Sequence, residues 1–183
     1  MKLAPESGNL FYQLWLPLLD FVNETYQVNP GLGRLAEADS MDPAEVKAVA
    51  DVLWDNTAVL DEYLSSPAAM ELPEKHRAIV AGWKRRVKGR FAVERHLKMG
   101  SILISLEDEQ VYQVGGIKSS LEEMFPYVRT PFLIEAVLIP FGHVVITDGL
   151  IIRYPLMVGS NMAQSFKDLY MKAKKEKRIR RSL

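Results

Sequence analysis

His143 and Asp148 stand five positions apart in the run IPFGHVVITDGLIIRYP, residues 139 to 155. A histidine oriented by an aspartate serves as the base of many nucleophilic and hydrolytic sites, so this pair is the first place to look for chemistry. The local sequence argues against it. Gly142-His143 between Phe141 and Val144 fits a two-residue II′ turn, and Asp148-Gly149 between Thr147 and Leu150 fits a I′ turn. The two side chains then lie at opposite ends of a four-residue strand, roughly 16 Å apart at ~3.3 Å per residue. The expectation is a tight three-stranded meander and no His/Asp dyad.

In that meander Phe141 faces Val144, Pro140 faces Val145 and Ile139 faces Ile146, while beyond the second turn Thr147 faces Leu150 and Val144 faces Arg153. Both faces are apolar, so each must be covered by another layer. Glu135 interrupts the preceding apolar strand. A buried carboxylate there has the makings of a general acid or base, but a position near the strand end lets it reach water or an arginine such as Arg129. Arg153 sits similarly near a strand end, where its stem can snorkel.

Other chemistry is thin. His76 and His96 fall in different elements and share no ligand spacing, and no cysteine is present, so the sequence predicts no metal site, no thiolate nucleophile and no disulfide framework. There is no G-x-S-x-G, P-loop or G-x-G-x-x-G; Gly31-Leu32-Gly33 lacks both a preceding strand and a third glycine. No cofactor is expected.

Charge is more informative. The formal net charge is zero, yet residues 1 to 67 carry three bases against eleven acids, and residues 68 to 100 nine bases against three. Residues 101 to 160 carry three bases against seven acids, and residues 161 to 183 eight against two. Two basic clusters result. One comprises Lys84, Arg85, Arg86, Lys88 and Arg90; the other Lys172, Lys174, Lys175, Lys177, Arg178, Arg180 and Arg181. Such runs can track nucleic-acid phosphate or simply solvate helix ends, where cations complement the helix dipole.

The elements that position these residues follow from periodicity. Leu10, Phe11, Leu14, Trp15, Leu18, Leu19 and Val22 form a helical stripe, with Pro17 a kink or restart. Asp42-Pro43-Ala44-Glu45 resembles a capping box ahead of a helix burying Val46, Val49, Ala50 and Leu53. A third amphipathic segment, 73 to 87, buries Ile79, Val80, Trp83 and Val87. The three tryptophans are expected to anchor this helical half. From Arg90 the period changes to two, and FAVERHL, SILISL and QVYQV read as strands. Ser119-Ser120-Leu121-Glu122-Glu123 offers overlapping capping boxes for a short helix ending at Pro126. A last helix starts near Asn161 and Gln164, with Met162, Phe166, Leu169, Tyr170 and Ala173 in one stripe and a frayed basic tail after it.

The predicted fold class is α+β: a helical N-terminal half packed on a mainly antiparallel β meander and closed by a C-terminal helix. Residues 1–183 are read as one domain with a helical part (1–89), a β-rich part (90–158) and a C-terminal helix with basic tail (159–183). No signal peptide or membrane-spanning run is legible, which predicts a cytoplasmic protein without membrane partners. The run Leu138-Ile139-Pro140-Phe141, with the hairpin to Asp148-Gly149 and a basic helix after it, resembles a C-terminal motif of uncharacterised bacterial proteins. That resemblance spans roughly residues 100 to 178. It implies a bacterial cytosolic origin and assigns no catalytic residue.

Three functional readings follow. The leading one is a non-enzymatic binding or protein-interaction module, with a protein partner or a second copy. The next is nucleic-acid binding through the two basic clusters, which requires them to share a surface. The last is a carboxylate-dependent enzyme, which requires acids to converge in a cleft.

Overall fold

The computed structural model describes residues 1–35 and 42–183. Two compact units make up the chain: Glu6–Lys84, and Met1–Pro5 together with Arg85–Leu183. The division falls at Lys84/Arg85. It also separates the charge. The first unit carries five bases against thirteen acids, a net −8, and the second eighteen bases against ten acids, a net +8.

The acidic unit is helical: α1 (Pro5–Tyr26), α2 (Pro43–Asp55), α3 (Ala58–Leu64), α4 (Pro67–Met70), α5 (Glu74–Gly82) and a 3-10 turn at Trp83–Arg85. Phe11, Leu14, Trp15, Leu18, Leu19 and Val22 of α1 are buried, as their spacing of three and four requires. Pro17 neither ends nor restarts α1, which runs through it. Its flanking Leu18 and Leu19 are fully buried, and that packing offsets the hydrogen bond the proline cannot make. Trp15, Trp54 and Trp83 are all buried, and the Trp83 ring lies 5.7 Å from that of Phe11. Asp42 caps α2 by accepting from the Ala44 amide at 2.8 Å, but Glu45 lies 3.5 Å from the Asn29 side-chain amide instead of reaching back.

The basic unit holds six strands: β1 (Val87–Leu97), β2 (Gly100–Ser105), β3 (Val111–Gly115), β4 (Phe132–Phe141), β5 (Val144–Thr147) and β6 (Ile152–Arg153). The short helix α6 (Leu121–Met124) lies between β3 and β4, and α7 (Ser160–Lys175) follows β6. The fold is α+β, with the helices of the N-terminal half, one mixed sheet and a C-terminal helix.

The sheet closes on itself. Strand β1 pairs antiparallel with β2 over Phe91–Leu97 and with β4 over Val87–Val93, while β3 and β5 pair in parallel. The ring order is β1-β2-β3-β5-β4 and back to β1. With a helix between β3 and β4, this is the connectivity of the five-stranded OB barrel. Alternation explains the interior: Phe91 and Val93 face it with Leu103, Tyr112, Val114, Ile134, Ala136, Leu138 and Val145, while Ala92 belongs to a cluster outside. Leu121, Phe125 and Val128 pack against the interior cluster. The capping box expected on α6 is present, between Ser120 and Glu123.

Two strand readings need correction. Val87, read as the end of a helix, and Lys88 and Gly89, read with the helical part, belong to the start of β1. The three-stranded meander also fails at its second turn. The first turn is as expected, with Gly142 at φ 61° and Phe141, Pro140 and Ile139 opposite Val144, Val145 and Ile146. At Asp148-Gly149, however, the chain does not reverse. It continues along the same edge of β4, pairing Ile152 with Glu135 and Arg153 with Ile134. Thr147 is opposite Leu138, so residues 148–151 span what β4 covers with residues 136 and 137: a bulge. Gly149 supplies φ 89°, and Asp148 accepts from the Leu150 amide at 3.1 Å while its own amide donates to the Val137 carbonyl. Asp148 is not in the left-handed region that a I′ turn demands of both central residues.

Among the described residues, no helix is long and apolar enough to cross a membrane.

Candidate nucleic-acid interface

Helix α7 lies on the outside of the barrel. Phe166, Tyr170 and Ala173, spaced four and three apart, bury one stripe against Ala92 of β1, Ile102 and Ile104 of β2, and Val111 of β3. Strands 2 and 3 carry the usual ligand face of an OB barrel. Here that face is aliphatic and is covered by the chain's own helix, which presents its outer side to solvent.

The helix is fastened by a second device. The β1–β2 register shifts between Val93 and Arg95, which places Glu94 and Arg95 at a bulge. The guanidinium of Arg95 lies 4.4 Å from the Tyr170 ring centre and donates two hydrogen bonds to the Glu94 carboxylate, the Nη2–Oε1 one at 2.8 Å. Glu94 is buried, and its hydrogen bonds hold the Arg95 proton more tightly than usual.

The C-terminus of α7 ends in a Schellman motif. The Arg178 amide donates to the Ala173 carbonyl and the Lys177 amide to that of Lys174, with Lys177 at φ 55° where glycine is the usual residue. The tail then turns back and is not frayed. Arg180 takes a parallel bridge beside Tyr112, donating to the Val111 carbonyl and accepting from the Gln113 amide. Ile179 packs against the outer cluster and Leu183 against the barrel interior. The N-terminus of α7 also differs from its expectation: Gly159 occupies the cap and makes no side-chain bond.

The structure sorts the two basic clusters. In the first, Lys84 pairs with Asp61 within the helical unit. Arg85 is exposed at the end of the 3-10 turn, and Arg86 and Lys88 are half-buried. Arg90 lies 3.5 Å from Glu107 and stands opposite Glu135 across the β1–β4 pair. In the second, Arg178 pairs with Glu176, the Arg180 guanidinium lies 5.9 Å from the Tyr112 ring, and Arg181 donates to Gln113 at 3.0 Å. That leaves Arg85 of the first cluster and Lys172, Lys174, Lys175 and Lys177 of the second, all exposed and without an ion pair or side-chain hydrogen bond among the described residues. Lys167 joins them. It lies outside the basic run, but it precedes Lys174 by seven residues, two turns of helix, and so shares its side of α7. The helical period of the last segment was the signal that marks it.

Glu109 and Asp108, at the β2–β3 tip, line a polar cavity of about 140 Å³ with Lys172 and Arg178. These acids bound the lysine surface on that side. The remaining titratable candidates do not converge. His143 is exposed at the β4–β5 turn and Asp148 is buried beyond the far end of β5. Glu135 accepts from the Tyr154 hydroxyl at 3.1 Å. His96 Nδ1 lies 2.7 Å from Ser101 Oγ, its Cβ-bearing neighbour across β1–β2, and its ring stands 6.2 Å from that of Phe132. Ser101 is buried and His96 half-buried. No group of three or more His, Cys, Asp or Glu among the described residues is placed to hold a metal.

Comparison with family models, with curated proteins and with solved structures finds no match.

Proposed function

We propose that the basic unit is a non-enzymatic binding module whose ligand is nucleic acid, held along the outer side of α7. The observation that carries this reading is the set of five exposed lysines, Lys167, Lys172, Lys174, Lys175 and Lys177, left without acidic partners on a unit of net charge +8. A lysine whose charge is already matched by a neighbouring carboxylate contributes little to phosphate binding. An unmatched one releases a counterion when phosphate docks. By the same argument the first basic cluster is the weaker contributor, because Lys84 and Arg90 already face Asp61 and Glu107.

Fluorescence anisotropy with labelled 20-nucleotide RNA and DNA, titrated over a range of salt, tests the reading. Affinity is expected to fall steeply with salt, and each lysine changed to Gln along α7 reduces the slope by about 0.7 to 0.9. Arg90→Gln leaves the slope nearly unchanged. Binding insensitive to salt, or identical in a Lys167/Lys172/Lys174/Lys175→Gln variant, overturns it.

A further inference from the structure

Tyr127 is fully exposed, at 103% of the reference accessibility, while Phe125 and Val128 on either side of it pack against the barrel interior. The Val128 amide donates to the Phe125 carbonyl at 3.2 Å, closing a tight turn whose tip is the tyrosine. Tyr127 holds φ 68°, the left-handed conformation that disfavours every side chain other than glycine's near relatives. The ring therefore adds nothing to the core and sits on a backbone that glycine would adopt without the Cβ penalty. An outlier of this kind motivates a functional explanation. Two residues on, Arg129 is exposed as well.

The placement relates this loop to the lysine helix. Residues 125–131 lead into β4 at Phe132, and the Tyr154 amide bonds to the Leu133 carbonyl at that same end. From Tyr154 the segment 155–159, exposed except for Val158 against the outer cluster, leads to α7 at Ser160. Tyr127 to Leu133 is six residue steps and Tyr154 to Ser160 six more, each spanning at most about 20 Å. With the strand spacing between them, the tyrosine and the start of α7 lie within about 45 Å, the reach of a single strand of a dozen nucleotides.

We infer that the ligand is single-stranded nucleic acid, with an unpaired base stacking on Tyr127, Arg129 supplying a cation beside it, and the backbone continuing along the α7 lysines. This rests on the nucleic-acid reading above and narrows it. Phosphate contacts alone serve duplex and single strand alike, whereas an exposed aromatic face is useful only where bases are unstacked.

The test compares a single-stranded 12-mer, the same sequence as a duplex, and an abasic 12-mer, each against the wild-type chain, Tyr127→Ala, Tyr127→Phe and Lys174→Gln/Lys175→Gln. Tyr127→Ala is expected to weaken the single strand at least about fivefold and to leave the duplex and the abasic strand unchanged. Tyr127→Phe keeps the ring and keeps the affinity, and the lysine variant weakens all three. If the lysine variant weakens binding but Tyr127→Ala matches wild type on the single strand, the stacking inference falls and the nucleic-acid reading stands. Equal loss on single strand and duplex overturns it too, since that marks a structural defect. If no oligonucleotide binds the wild-type chain, the reading itself falls, and Tyr127 is left as a contact for a protein partner.

Discussion

The Arg95 guanidinium lies 4.4 Å from the centre of the Tyr170 ring while its hydrogen bonds go to the buried Glu94 carboxylate. One cation thus satisfies an acid buried at the β1 bulge and, at the same time, the ring that fixes the helix. Removing either partner has separable consequences. Tyr170→Ala leaves a large hole in the outer cluster and is expected to cost about 3–5 kcal/mol. Arg95→Ala strands Glu94 without its counter-charge and is expected to cost about 2–4 kcal/mol. Urea denaturation of the full chain measures both, and the double variant should lose less than the sum of the two because the pair acts as one unit.

His143→Ala and Asp148→Ala should behave oppositely. His143 is exposed at a turn set by Gly142, so its loss falls within about 0.5 kcal/mol. Asp148 is buried and organises the bulge through Leu150, so its loss costs about 1–2 kcal/mol. Gly149→Ala, forced to φ 89°, costs at least about 1 kcal/mol. Thermal melts of the three variants decide the matter, and a dyad would instead make His143 and Asp148 fail together.

How far the sequence reaches is visible at this same bulge. The first turn was legible because Gly142 offers a positive φ between two apolar runs, and its register is the observed one. Asp148-Gly149 gives an equally strong local signal, but a glycine with positive φ serves a bulge as well as a reversal. What decided between them was the open edge of β4 at Ile134 and Glu135, which no local pattern announces. Closure of the barrel is illegible for the same reason, since it depends on Val87 finding Leu138. The basic residues were legible as composition. Which of them stay available was not, because Asp61, Glu107 and Gln113 reach them only through the fold.

His96 gives a pH signature. Burial lowers its pKa below the ordinary histidine value, a larger effect than the opposing pull of Glu122. The unfolded chain therefore binds a proton that the folded chain resists. Stability from this group is fully present above about pH 6.5 and is lost as pH falls through the folded-state pKa. The urea midpoint should decline from pH 7 toward pH 5, with His96→Gln flattening the decline. The imidazole resonance of His96 should titrate below the ordinary range, and a His96 that titrates at or above it contradicts the burial argument.

Lys177 connects stability to binding. It occupies the left-handed position of the Schellman motif at φ 55° and is also one of the unmatched lysines. Lys177→Gly removes the steric penalty of a side chain there and should stabilise the chain by about 1 kcal/mol. The same change removes one cation, so the slope of affinity against salt should fall by about 0.7 to 0.9. Deleting residues 179–183 tests the structure beyond it. That deletion removes the Arg180 bridge to β3 and the packing of Ile179 and Leu183, and should cost about 2–4 kcal/mol, whereas loss of a frayed tail would cost nothing measurable. A melt of each variant beside its salt titration separates the two roles. If Lys177→Gly is more stable and binds more weakly, the lysine is retained at that strained position for its charge. If it is more stable and binds equally well, Lys177 lies outside the contact and the lysine surface ends at Lys175.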